Sequence, residues 1–322
     1  MNARMRSVVA ASMATAIVWA GLFVTSASAS APQAKPVKKD PHTVVASDGS
    51  TYTAPEANLV GVDSFSGSGA AVGGAETAPP AESGVTTDHG NGQETVIGTD
   101  SRVRITGTTS FPYRAVVHIT RDGNGWCTGW MINANTVATA GHCVAPGGTG
   151  AFYTGTFRAF PGRNGSSTPY GSCTARRLYS VSGWTSSGDE RYDYGALKLN
   201  CTVGNSTGWF GLWWQSASLT GLSTTISGYP GDKTFGTMWR ATDRVRTTYE
   251  RQIFYQNDTI GGMSGSPVYQ SRASGSSFCS GQCAMGIHAY GLHGSSPHST
   301  NNHGTRITQP VFNNLINWRN AA

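Results

Sequence analysis

Short hydrophobic runs separated by turn residues dominate the chain after about residue 95. The runs are rich in β-branched and aromatic residues and lie at 115–120, 136–139, 195–199, 224–227 and 266–269. Turn residues at 122–125 and 229–232 interrupt them, a pattern typical of short antiparallel strands. Only 309–320 has helical spacing, with Val311, Phe312, Leu315, Ile316 and Trp318 following Pro310. The length fits one large all-β unit or two small barrels, and we predict two antiparallel barrels with a C-terminal helix.

The first residues have the pattern of an export signal. Arg4 and Arg6 precede an apolar stretch at 8–24, and Ala27-Ser28-Ala29 is a typical small-residue cleavage site. We predict a signal peptide over 1–29, removed on secretion into the extracellular, oxidising space. The alternative is a membrane anchor, but the adjacent cleavage site favours a signal peptide. We therefore expect no stable membrane association.

Residues 30–94 differ from the rest of the chain in composition and charge. They have few large apolar residues and a net charge of −5, so we predict a weakly structured propeptide; a small independent domain is the alternative. Residues 95–322 carry about +9, which favours docking of the propeptide on this part and attraction of acidic polypeptides. The arginines are scattered, so we expect no nucleic-acid partner. We expect a monomer.

Three segments carry candidate chemistry. Residues 261–268 place Ser264 on a glycine turn, where the amides of Gly262 and Ser264 could bind an oxyanion. His142 lies among small residues after an apolar run, and Asp193 precedes a predicted strand. Each signal alone fits an ordinary turn or strand end. Their order, His142, Asp193, Ser264, matches the chymotrypsin arrangement rather than that of subtilisin or the α/β-hydrolases.

These segments resemble the secreted bacterial glutamyl endopeptidases, a branch of the chymotrypsin-fold serine proteases. The similarity runs from about residue 96 to 320, through blocks at 96–98, 111–119, 127–132, 136–143, 161–165, 192–196, 226–233 and 304–308. It implies two six-stranded β-barrels with the active site in the cleft between them, residues 95–322 forming the protease domain. It also implies a catalytic triad of His142, Asp193 and Ser264 acting on polypeptide substrates.

The cysteines are predicted to form disulfides. All six lie after residue 95, and six cysteines allow fifteen pairings, so the spacing alone leaves the pattern open. The resemblance implies Cys127–Cys143 and Cys279–Cys283, which leaves Cys173 and Cys201 for a third bridge. No Cys-x-x-Cys pair is present, and we expect neither a metal nor another cofactor.

Two residues suggest opposite specificities. His288 resembles the family histidine that contacts an acidic substrate side chain; a strand histidine with an internal hydrogen bond is the alternative. Asp258 lies six residues before Ser264, where trypsin-type enzymes place the aspartate that binds Lys or Arg. The similarity to the whole family favours cleavage after Glu and Asp. Trypsin-like specificity, or an inactive homologue that acts as a binding protein, are the alternatives.

The resemblance also suggests how the precursor matures. It implies a mature N-terminus at Thr95, near the specificity pocket, which requires cleavage directly after Glu94. A glutamyl endopeptidase could make this cut itself.

Four histidines recur at five-residue intervals in the last part of the chain, at His288, His293, His298 and His303. Five is neither the strand nor the helix period, so we expect no shared face and no metal site. Apart from His288, we expect them to be loop residues.

Overall fold

The fold is dominated by short strands, seen in a computed structural model that describes residues 40–70 and 94–322. In chain order the strands are β1 (Val44–Ala46), β2 (Thr51–Tyr52), β3 (Gly61–Val62), β4 (Val103–Ile105), β5 (Val116–Arg121), β6 (Asn124–Met131), β7 (Thr136–Thr139), β8 (Phe157–Pro161), β9 (Cys173–Val181), β10 (Gly195–Leu199), β11 (Gly211–Trp213), β12 (Ser223–Gly228), β13 (Met238–Arg244), β14 (Thr247–Thr248), β15 (Gln252–Tyr255), β16 (Pro267–Arg272), β17 (Gly281–Tyr290) and β18 (Asn302–Arg306). The α-helices are α1 (Ser182–Thr185), α2 (Gly204–Thr207) and α3 (Gln309–Asn320).

Six strands close into the first barrel. They run in the order β10-β7-β6-β5-β8-β9, and β10 also pairs with β9 to complete the ring. Apolar side chains of these strands fill the interior, among them Val117, Ile119, Met131, Val137 and Leu197, all fully buried. Closure removes the exposed edges that short strands would otherwise present.

The second sheet is a half-barrel. Its strands follow the order β14-β15-β18-β17-β16-β12-β13-β4, and β11 adds a parallel pair with β17. Within the described residues no pairing joins β14 to β4, so this sheet does not close into a ring. Its core contains Ile226, Ile253, Val268 and Met285. The predicted chymotrypsin-like fold class is confirmed, with one closed barrel and one open one.

The C-terminal helix α3 has the predicted bounds and covers the first barrel. Trp318 is fully buried and stacks on Tyr179 at a centroid distance of 5.7 Å. The buried ammonium of Lys198 on β10 lies 3.3 Å from the carbonyl oxygens of Trp318 and of Arg319. A cation at this end of a helix interacts favourably with carbonyls that have no partner within the helix.

Residues 40–70 are more ordered than their composition predicts. β1 pairs with β9 of the first barrel, and β3 pairs with β11 beside the second sheet. The segment lacks a core of its own but uses the sheet edges and apolar surface of the larger unit. Residues 71–93 and the predicted signal peptide lie outside the described residues. Across 40–70 and 94–322, no helix combines the length and hydropathy required to cross a membrane.

Three disulfides link the cysteines. Cys127 pairs with Cys143, Cys173 with Cys201 and Cys279 with Cys283, the pattern that the family resemblance implies. The first of these bridges joins β6 to the turn that contains His142.

Candidate active site

His142 and Asp193 lie together because their strands are neighbours. Thr139 at the end of β7 is paired with Gly195 at the start of β10, so the segments next to these ends meet. His142 Nδ1 lies 2.7 Å from Asp193 Oδ2, and the His142 amide donates to Asp193 Oδ1 at 2.7 Å. Asp193 is fully buried. A carboxylate at this distance keeps the proton on Nδ1 and leaves Nε2 to act as a base.

Ser264 lies on the tight turn between β15 and β16. Gly262 has φ +97° and Gly265 has φ +83°, backbone conformations that favour glycine. At Gly265 a Cβ atom would lie 2.1 Å from Thr139 Oγ1 and 2.2 Å from the Thr128 carbonyl oxygen. Glycine is therefore required where the turn approaches the first barrel.

Thr128 on β6 holds this turn, a role that the sequence pattern did not predict. Its amide donates to the Ser264 carbonyl at 2.9 Å, and its hydroxyl donates to the Gly262 carbonyl at 2.8 Å. The Gly265 amide donates to the His288 carbonyl at 2.7 Å. These bonds from both sheets fix the backbone that carries the Gly262 and Ser264 amides.

The side chain of Glu94 occupies the space between Ser264 and His288. Ser264 Oγ donates a hydrogen bond to Glu94 Oε1, and His288 Nε2 lies 3.5 Å from the same oxygen. Glu94 is only 4% exposed. The residue after which the sequence predicts maturation thus places a carboxylate against both side chains.

His288 has a second buried partner, Tyr255, which the sequence pattern also did not predict. The Tyr255 hydroxyl lies 2.8 Å from His288 Nδ1. Burial lowers the pKa of His288 to about 3 and raises the pKa of Tyr255 well above its usual range, so both side chains are neutral. With the hydroxyl donating to Nδ1, the proton of the ring lies on Nε2, which faces Glu94.

Asp258 binds the segment that follows Thr95. It is buried, with Oδ1 accepting from the Ile97 amide at 2.7 Å and Oδ2 from the Ser101 amide at 2.7 Å. The Thr95 amide donates to Asn302 Oδ1 at 3.1 Å. Both oxygens of Asp258 therefore already have backbone donors in this structure.

The expectation that the evenly spaced histidines share no face is wrong for three of them. The segment between β17 and β18 folds back on itself, so that the ring centroids of His293, His298 and His303 lie 4.8–5.1 Å apart, beside Glu190. A loop has no fixed period, so spacing along the chain did not predict this cluster. His288 lies apart from them, against Glu94.

Comparison with known proteins agrees with this architecture. Residues 103–316 match the trypsin family. The chain is 47% identical to the glutamyl endopeptidase of Bacillus licheniformis over 229 residues, which covers 71% of this chain and 70% of that protein. It is 46% identical over 231 residues to a Bacillus subtilis protein named extracellular metalloprotease, covering 70% of each.

A solved structure of a Glu endopeptidase in complex with MPD is also similar. The two superpose with a TM-score of 0.62 at 28% identity, covering 70% of this chain and all of that one. The match to the family model spans most of the chain, and the Bacillus licheniformis relative is similar over most of its own length. The chain therefore belongs to the trypsin family, as a chymotrypsin-fold serine endopeptidase.

Proposed function

We propose that this protein is a secreted glutamyl endopeptidase, made as a precursor, that cleaves polypeptides after Glu and Asp. The observation that carries the proposal is the Glu94 carboxylate lying between Ser264 and His288. A buried carboxylate needs hydrogen-bonded partners, so a site that accepts one here is suited to acidic side chains. The three disulfides suit an extracellular enzyme.

The triad performs acyl transfer. Ser264 Oγ attacks the substrate carbonyl while His142 Nε2 takes its proton, and His142 later gives that proton to the leaving amine. Asp193 fixes the tautomer of His142 and stabilises the imidazolium. The Gly262 and Ser264 amides bind the oxyanion, where loss of one donor costs about 3–4 kcal/mol in a comparable protease.

Specificity comes from a neutral imidazole that donates a proton in a hydrogen bond. Tyr255 holds Nδ1 of His288, so Nε2–H is directed at the substrate carboxylate. After cleavage the new ammonium of Thr95 supplies positive charge near the pocket. Asp258 favours this account over trypsin-like specificity, because its two oxygens already accept bonds from Ile97 and Ser101.

The precursor is latent because Glu94 occupies its own active site. Ser264 Oγ donates a hydrogen bond to the side-chain carboxylate of Glu94. An ionised carboxylate is not an electrophile that the serine can attack. We therefore expect a mature molecule to cut the Glu94–Thr95 bond of a precursor, so maturation is autocatalytic but intermolecular. The propeptide is then both a partner and a substrate of the enzyme.

The proposal is tested by digesting a denatured protein of known sequence with the mature enzyme and identifying the new termini by mass spectrometry. Most cuts should follow Glu, with fewer after Asp, and a Ser264→Ala preparation should make almost none. Cuts mainly after Lys or Arg would replace the glutamyl assignment with the trypsin-like alternative.

A further inference from the structure

A second group of chemically active side chains lies close to His142 and Asp193 but outside the catalytic machinery. It consists of Glu190, His293, His298 and His303, here called the histidine cluster. Glu190 belongs to the short turn that precedes Asp193 in the first barrel. The three histidines come from the segment after β17 and from β18 in the second sheet.

The donor atoms of the histidine cluster converge. His293 Nε2 lies 3.2 Å from Glu190 Oε2, His298 Nε2 lies 3.3 Å from Oε1, and His303 Nε2 lies 3.9 Å from Oε2. One donor atom from each of the four residues lies within 4.8 Å of the others. All three imidazoles thus direct the same nitrogen, Nε2, at one carboxylate.

The Glu190 carboxylate lies within hydrogen-bond distance of His293 and His298 but not of His303. His303 is fully buried, and within the described part of the chain neither of its ring nitrogens has a hydrogen-bond partner. Buried polar atoms are almost always paired, so a buried imidazole that faces two others and a carboxylate points to a missing ligand.

Surrounding groups already orient two of the four residues, His293 and Glu190, as metal ligands need. His293 Nδ1 lies 3.3 Å from the Gly291 carbonyl, which keeps a proton on Nδ1 and leaves Nε2 as the donor atom. Gln252 donates to Glu190 Oε1 at 3.1 Å, and the ring of Tyr290 stacks on His303 at 5.2 Å. Such outer contacts are typical of metal sites, where they orient the ligands.

We propose that the histidine cluster binds one divalent transition-metal ion of the Zn²⁺ type through three imidazole nitrogens and the Glu190 carboxylate. Zn²⁺ takes four such ligands at about 2.0–2.2 Å, whereas Ca²⁺ and Mg²⁺ bind oxygen ligands. Closing from the present spacing needs only small rotations, and His293 and His298 are partly exposed loop residues that can make them.

The ion would fasten the two barrels together beside the active site. Glu190 lies three residues before Asp193, and the ring of Tyr290 lies between His303 and His142, with its centroid 5.8 Å from that of His142. We assign the ion a structural role, with no part in hydrolysis. The site therefore stands whether or not the glutamyl specificity is correct.

The test is calorimetric titration of Zn²⁺ into untagged full-length Ser264→Ala protein, which cannot digest itself. We expect one ion per chain, a rise in the unfolding temperature with Zn²⁺ and no comparable effect of Ca²⁺. Co²⁺ in place of Zn²⁺ should give the intense visible absorption of a four-coordinate site. No saturable Zn²⁺ binding, or equal stabilisation by Ca²⁺, would overturn the proposal.

Matched variants identify the ligands. His293→Asn with His298→Asn should weaken Zn²⁺ binding by at least the about 10–100-fold that loss of an outer-shell partner costs. Ser295→Ala with Ser299→Ala, in the same loop, should leave the affinity unchanged. Unfolding temperatures without metal report whether each variant folds. Unchanged affinity in the folded histidine variant would assign the ion to other residues and contradict the site.

Discussion

The hydroxyl of Ser264 donates a hydrogen bond to the carboxylate of Glu94, which joins the nucleophile to the residue just before the expected mature N-terminus. Glu94 also lies beside His288, so one side chain contacts both Ser264 and the residue proposed to set specificity. In the function proposed above, this contact links the latency of the precursor to the acidic specificity of the mature enzyme.

Maturation should therefore be a reaction between two molecules. Purified precursor should convert slowly at first and then faster, and a trace of mature enzyme should abolish the lag. Glu94→Gln should slow conversion by orders of magnitude, because the pocket binds a carboxylate. N-terminal sequencing over time measures this. Conversion of Ser264→Ala precursor to Thr95 without added enzyme would contradict it.

Asp193→Asn should keep the fold but lower kcat by about 10⁴-fold, because an amide permits the wrong tautomer of His142. Ser264→Ala should reduce turnover to a small residual level. Both are measured on one peptide substrate, with the thermal transition as the control for folding. If Asp193→Asn lost only about twofold, another carboxylate, such as Asp189, would have to orient the histidine.

Tyr255→Phe tests how His288 is oriented. Without the hydroxyl, Nδ1 loses its only hydrogen-bond partner in the described structure, and the imidazole can adopt the other tautomer. We expect kcat/KM for a Glu substrate to fall by about 10-fold or more, which corresponds to a loss of about 1.4 kcal/mol of transition-state stabilisation. Reaction of Ser264 with a small organophosphate, which does not use the pocket, should be unchanged. Equal losses in both assays would indicate general damage to the site.

Low pH should weaken the packing of residues 40–70, the segment that contains His42, against the rest of the protein. Its Nε2 lies 2.7 Å from Arg251 Nη1 and its Nδ1 lies 2.8 Å from the Tyr194 hydroxyl, while the charge of Asp40 partly opposes Arg251. Burial, then the charge of Arg251, lowers the pKa of His42 to about 4. The unfolded chain, with a pKa near 6.5, binds the proton first, so stability falls as pH drops from about 6.5 to 4.

This loss is measured by thermal unfolding of the Ser264→Ala precursor across that range. Other buried histidines contribute in parallel, so the comparison is with the same protein carrying His42→Asn. We expect the parent to lose on the order of 2–3 kcal/mol more than the variant. Identical pH profiles of the parent and the variant would show that His42 does not contribute to the pH dependence of stability.

The sequence predicted those features that depend on residues close together in the chain. The order of His142, Asp193 and Ser264 along the chain and the helical periodicity of α3 can both be read directly from the sequence. Residues 40–70 have a regular structure because β1 pairs with β9 and β3 pairs with β11. Composition does not reveal these pairings. The histidine cluster and Tyr255 depend on how loops and strands meet in space, and a tyrosine on a strand gives no sign of its partner.

The most direct measurement of the central claim is kcat/KM for two peptides that differ only in Glu or Gln before the scissile bond. The two side chains have nearly the same shape, so their ratio reports recognition of the carboxylate itself. We predict a preference for Glu of at least about 100-fold, or 2.7 kcal/mol, largely lost in His288→Asn. Equal rates for the two peptides, or faster cleavage of a matched Lys peptide, would contradict the account.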